Sequence, residues 1–123
     1  MGEDAGMKIV VNDIPPSNNK FLGRSVPPVV YQNLKREWHW KIKAKINERP
    51  KESFKKAIIR ITYYFKDKRR RDPDNYSGKF ILDALVRENI IEDDSFNSVS
   101  LWLYGKVDKD NPRTEIEVLE DVK

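Results

Sequence analysis

Asp72-Pro73-Asp74-Asn75 follows directly on Lys66, Lys68, Arg69, Arg70 and Arg71, and a second acidic pair, Asp93-Asp94, comes after a stretch rich in Ile and Leu. Clustered carboxylates are the hard oxygen donors that Mg2+ or Mn2+ prefers, and a run of Lys and Arg complements a phosphate backbone. Side by side they describe a site that holds metal and phosphate together, as metal-dependent hydrolysis of a phosphodiester requires. Each piece also has a plainer reading. Asp-Pro-Asp-Asn is turn and helix-cap chemistry, Asp-Asp after a helix is a solvated loop, and a Lys-Arg run is often only surface. Their adjacency favours the site. In extended backbone Asp72 and Asp74, two apart and held off helix by Pro73, share a face. A helix of about a dozen residues is expected to return Asp93 and Asp94 to the same end of the sheet, where a divalent ion offsets the repulsion of the acids.

The elements that must position these residues are legible from periodicity. Met7 to Asn12 reads as a first strand, stopped by Ile14-Pro15-Pro16-Ser17-Asn18-Asn19, and a loop runs on to about Pro28. Tyr31, Leu34, Trp38, Ile42 and Ile46 recur at three- and four-residue steps, which predicts a helix over 30–49 closed by Pro50. Phe54 to Phe65 alternates as a long strand that feeds the basic run. Tyr76 to Val86, apolar nearly all round after an Asp74-Asn75 cap, predicts a second and more buried helix, with Gly78 a point of close packing. Ser98 to Tyr104 and Thr114 to Leu119 alternate as two more strands, and Gly105 to Pro112 reads as a charged hairpin loop between them. The order β-α-β-α-β-β predicts a single two-layer α/β (α+β) domain over 1–123, with a mixed or antiparallel sheet of about four strands and two main helices. Met1 to Gly6 reads as a disordered N-terminus, with Met7 able to serve as a second start.

Composition bounds the chemistry. The 123 residues carry a net charge of +4, 36% charged and 38% hydrophobic residues, which gives one domain with a small core and a polar surface. Such a core gains by dimerising. With no cysteine, disulfides and thiolate metal sites are excluded, so any metal is held by oxygen or in part by His39. His39 as a lone histidine reads as a surface or packing residue, Trp38 as core, and Trp40, off the apolar stripe, as packing, dimer contact or DNA platform. Asn18, Asn19, Lys20, Phe21 and Arg24 form either a plain connecting loop or one that touches DNA or inserts Phe21 into it. No apolar run approaches the ~18 residues of a membrane span, so no membrane is expected and the chain reads as cytoplasmic.

In order, Arg69-Arg70-Arg71-Asp72-Pro73-Asp74-Asn75, Lys79, Asp83-Ala84-Leu85 and Asp93-Asp94, with the early Pro15-Pro16-Ser17-Asn18-Asn19, resemble the RusA family of Holliday-junction resolvases. The resemblance covers most of the chain. It implies an α/β homodimer that binds four-way branched DNA and, with Mg2+ or Mn2+, makes symmetric paired nicks in recombination and repair. Carried over by position, the resemblance implies Asp72, Asp74 and Asp94 as the metal-binding and catalytic acids and Lys79 as the essential basic catalytic residue. Asp93, Asp83 and Asn75 are supporting, and Lys66, Lys68, Arg69, Arg70 and Arg71 contact DNA. Lys79 falls four residues after Asn75, one more than in the familiar motif. A bulge or a shifted helix start absorbs the extra residue, or Lys79 does not reach the phosphate. The rival readings are a non-catalytic nucleic-acid-binding or regulatory domain and a nuclease for other branched DNA.

Overall fold

A computed structural model describes residues 6–121, so the expectation for Met1 to Gly6 lies outside the described residues except at Gly6, which opens the first strand. The elements are β1 (Gly6–Val11), α1 (Pro28–Lys43), β2 (Ala57–Phe65), α2 (Lys79–Arg87), β3 (Val99–Val107) and β4 (Arg113–Glu120), with short 3-10 turns at Asn18–Lys20 and Pro73–Asn75. The sheet is mixed, in the order β1-β4-β2-β3. β4 runs antiparallel to both β1 and β2, whereas β2 and β3 are parallel and are joined through α2. The expected two-layer domain is therefore what forms.

Strand alternation builds one apolar face from Ile9 and Val11, Ala57, Ile59, Ile61 and Tyr63, and Thr114, Ile116 and Val118, all buried. Trp38 and Ile42 of α1 and Phe80, Ile81, Ala84 and Leu85 of α2 close over it. As expected, α2 is the more buried helix and Trp38 is core. The opposite sheet face carries Arg60, Tyr64, Trp102, Tyr104, Glu115 and Glu117, and neither described α-helix packs on it.

Three sequence expectations are corrected. β3 and β4 do not form a hairpin: Asp108 N–H donates to the Phe65 carbonyl at 2.8 Å as the chain crosses the end of β2. β4 has three fully buried side chains and belongs inside the sheet, while β3, buried only at Val99, tolerates the edge. Arg113 fixes the crossover by bonding Asp108 at 2.8 Å, Glu115 at 2.7 Å and the Asn111 carbonyl at 2.9 Å. Second, α1 stops at Lys43 instead of running to Arg49. Tighter i to i+3 bonds, Lys45 N–H to Ile42 O and Ile46 N–H to Lys43 O, turn Ile46 onto the core. Arg49 is thereby free to bond the buried Glu88 at the end of α2, which His39 also contacts.

Third, α2 begins at Lys79, three residues late. Pro73–Asn75 closes its own 3-10 turn, and Gly78 enters the helix in the left-handed region, φ 80°. A Cβ at Gly78 would also lie 2.7 Å from Ile61 Cδ1, so close packing and backbone conformation both require glycine. Gly78→Ala should lower stability by about 1–3 kcal/mol in urea unfolding, while Gly105→Ala, where a Cβ meets Phe65 at ordinary contact distance, should change it by less than about 1 kcal/mol.

Candidate active site

β2 ends at Phe65 and delivers the chain into the basic run, where the cations divide by environment. Arg71 is turned inward, with its side chain only 15% exposed. It donates to the carbonyls of Asp67 at 3.1 Å and Arg69 at 3.0 Å, pairs with the Asp67 carboxylate at 2.9 Å and lies 4.3 Å above the Phe65 ring. That is a brace for the 66–72 loop, with three of its donors engaged within it. The backbone N–H of Arg69 and the Arg71 guanidinium hold the Asp67 carboxyl below the usual aspartate range. Arg70 is exposed and pairs with Asp72 at 3.2 Å. Lys66, Lys68 and Arg69 are exposed and have no side-chain ion pair among the described residues.

Asp72 is extended, and its carbonyl accepts from Asn75 N–H at 3.0 Å, starting the Pro73–Asn75 turn. Because the backbone turns at Pro73, the shared-face argument from strand alternation does not hold. Both Asp72 and Asp74 nonetheless sit at the C-terminal end of β2, beside the basic run. Asp72 lines a small cleft with Tyr63, Phe65, Tyr76, Leu103 and Gly105, so it lies over the end of β3. Asn75 is half-buried and holds the turn through its main chain. Asn18 Nδ2 donates to the Asp74 carbonyl at 3.0 Å and to Ser77 Oγ at 3.2 Å, so the Pro-Pro-Ser-Asn-Asn segment is a strut for the acid turn. Phe21 is buried against Phe80, with ring centroids 4.6 Å apart, and is not free to insert into DNA.

The helix start is shifted to Lys79, with Gly78 as its left-handed entry. Lys79 Nζ lies 5.8 Å from the centre of the Tyr31 ring, over α1, and makes no ion pair with Asp72 or Asp74. One turn on, Asp83 pairs with Lys35 of α1 at 3.7 Å, while its other oxygen is buried without a hydrogen-bond partner among the described residues. Asp83 thus links the two helices.

Asp93 and Asp94 are exposed in the loop after α2, but the expected convergence with Asp72 is not met. That loop is anchored at the other end of the sheet, where Phe54 bridges Ile91 and Ala57 N–H donates to the Ser98 carbonyl. Asp72 sits at the level of Tyr63 and Gly105, six residues along β2 from Ala57, or about 20 Å at strand rise. A crossover between parallel strands starts at one end of the sheet and finishes at the other, so this separation is topological. Among the described residues, no three His, Asp or Glu side chains group closely enough to hold a metal ion. Nor is any described helix long and apolar enough to cross a membrane.

The family model for endodeoxyribonuclease RusA matches residues 14–119, a span that takes in the strut, the acid turn, α2 and both acidic pairs. The chain belongs to the RusA endodeoxyribonuclease family. No curated protein matches the sequence. Within this RusA-type domain, the exposed large apolar side chains include Phe96, two residues after Asp94, and Leu101, Trp102 and Tyr104 on β3, whose exposure the alternation of the strand alone did not foretell.

The two arginines should therefore respond differently. Arg69→Ala should weaken DNA binding and lower the salt slope by about 1 with stability unchanged, whereas Arg71→Ala should lower stability. The depressed Asp67 value gives stability that is present above the ordinary aspartate pKa and lost as pH falls through its lower folded value. Arg71→Ala should flatten that acid-side loss in unfolding measured from about pH 5 downward.

Proposed function

We propose that this RusA-family endonuclease resolves Holliday junctions, in DNA recombination and repair, by symmetric paired nicks made with a divalent metal. The observation that carries the reading is the meeting, at the C-terminal end of β2, of Asp72 and Asp74 with the unpaired cations Lys66, Lys68 and Arg69, in a chain matched to the family over residues 14–119. The cations grip backbone phosphates, which gives affinity without sequence readout. Asp72 and Asp74, held by the Asn18 strut and the Arg71 brace, present carboxylate oxygens beside the gripped strand. Hydrolysis adds water to phosphorus and breaks the bond to one bridging sugar oxygen, leaving a phosphate and a hydroxyl at the nick.

The donor set is all oxygen, which fits Mg2+ with Mn2+ as a substitute, but one chain does not bring the three acids to one ion. Two copies related by a twofold axis can do so, with Asp72 and Asp74 from one and Asp94, supported by Asp93, from the other. A bound divalent ion supplies a Lewis acid that neutralises the carboxylates and lowers the pKa of water. A homodimer is then required twice, to complete each site and to match the near twofold symmetry of a four-way junction. Lys79 and Asp83, both engaged with α1, act in this reading by setting α2 against α1 rather than at the phosphate.

The separation of the acids in one chain is also what a non-catalytic nucleic-acid-binding domain would have, so the test must part the two. A synthetic four-way junction, a flapped duplex and a linear duplex are incubated with Mg2+ or EDTA. Paired opposed nicks in the junction alone, abolished by EDTA, are expected. Asp72→Asn should lose cutting by more than about a hundredfold while keeping or tightening junction binding, because a negative charge leaves the phosphate-facing surface. Unchanged cutting in that variant would sink the site, and metal-independent binding without any cutting would favour the binding domain.

A further inference from the structure

Tyr63 is only 2% exposed, yet its hydroxyl has no hydrogen-bond partner among the described residues. A buried polar group left unpaired costs stability, so this one calls for a partner from outside the chain. Its oxygen lies 3.8 Å from where a Cβ on Gly78 would be, at the entry to α2. That helix starts without a side-chain cap, and the N–H groups of Lys79 and Phe80 have no acceptor among the described residues. Hydroxyl and helix start line one narrow hollow, together with Pro15, Pro16, Asn18 and Ser77. Asn18 Nδ2 donates to Ser77 Oγ at 3.2 Å, which leaves the Ser77 hydrogen free to donate in turn. No carboxylate lines the hollow. Two hydroxyls and two main-chain N–H groups therefore gather there as free donors, at the positive end of a helix dipole. Burial, with Tyr76 beside it, holds the Tyr63 phenol above its ordinary range, which keeps it protonated.

We infer that this hollow is a phosphate notch, in which the α2 N-terminus, Tyr63 and Ser77 hold one non-bridging oxygen of a DNA backbone phosphate. The hollow is narrow enough to take a single oxygen and no base. The choice of DNA as the source of that phosphate rests on the proposed nuclease reading, and on place. The notch shares Tyr63 and Tyr76 with the cleft that Asp72 lines, and Asn18 spans from Ser77 to the Asp74 carbonyl. A phosphate seated in it therefore lies beside the acid turn. Lys79 contributes its main-chain N–H, while its ammonium group stays over Tyr31. Lys66, Lys68 and Arg69 are exposed and flexible, so they attract the backbone without fixing it. The notch donors stand on a strand and on a helix start, so they set where the backbone lies relative to Asp72 and Asp74.

The test compares wild type with Tyr63→Phe, which removes one hydroxyl. In EDTA, four-way-junction affinity should fall roughly ten- to hundredfold in the variant, the worth of a hydrogen bond to a charged group, while its urea midpoint stays the same or rises. Junctions carrying a single methylphosphonate, stepped through the branch-point phosphates of one strand, then locate the contact. At one position wild type should lose affinity and Tyr63→Phe should bind modified and unmodified junctions alike. A variant that keeps the wild-type affinity and methylphosphonate pattern overturns the inference, and if wild type still cuts junctions the nuclease reading stands. Lower stability with that pattern unchanged assigns the hydroxyl to the fold and overturns it as well. Inorganic phosphate at millimolar concentration that raises the unfolding temperature of wild type only, with equal junction affinity in both proteins, gives the notch to free phosphate and overturns the DNA assignment. Conversely, the expected loss at one phosphate in a protein that cuts no DNA keeps the notch and removes the nuclease reading.

Discussion

The parallel pairing of β2 with β3, in register from Ala57 opposite Val99 to Phe65 opposite Val107, decides where every chemically active group in this protein comes to rest. A parallel pair needs a crossover, and the crossover here is the basic run, the acid turn and α2. Its start and finish lie at opposite ends of the sheet by construction. Asp72 and Asp74 therefore share an end with the cations, and Asp93 and Asp94 share the other end with the N-terminus of β3. No rotamer change can close a gap of about two-thirds of a strand. The same pairing pushes β3 to the edge, because β4, with its fully buried Thr114, Ile116 and Val118, occupies the interior place beside β2.

Around that frame, several contacts make the acid turn a rigid object. Arg71 closes the 66–72 loop on Asp67 and Phe65, Asn18 ties the Asp74 carbonyl and Ser77 to the first loop, and left-handed Gly78 lets α2 start against Ile61. Arg71 shows how a residue in a cationic run can be lost to the solvent-facing set. A guanidinium with five donors in a fixed fork is well suited to collecting carbonyls, and here it does so. The exposed, unpaired charge of the run falls to Lys66, Lys68 and Arg69, with Arg70 shared with Asp72.

Much of the fold was legible in the sequence. Alternation marked all four strands, the three-and-four spacing from Tyr31 to Ile42 marked α1, and the apolar run to Val86 marked α2. What was not legible were features decided away from their own residues. Ile46 fits the helical stripe, but tertiary packing turns it inward through a tighter turn. Gly105 to Pro112 has hairpin composition, yet the strands it joins are separated by β2, a choice made by their relative burial. At the site, the motif marked a basic run and an acid turn that the fold does place side by side at the end of β2. It could not give the convergence of the acids, because alternation fails at the Pro73 turn and a helix between parallel strands carries the chain away. Gly78, which the sequence marked as a close-packing point, does pack against Ile61 and also turns the chain into α2.

The claim that the site is shared between copies has a direct measurement: Mn2+ binding by chains lacking different acids, alone and mixed. Asp72→Asn and Asp94→Asn should each bind Mn2+ weakly, because every site then lacks one ligand. Unfolded together and refolded, random pairing makes half the dimers mixed, each with one whole site and one doubly altered, so tight binding should return to about a quarter of the wild-type number of sites. If the mixture binds no more than either variant alone while the wild type binds well, the acids do not meet between copies.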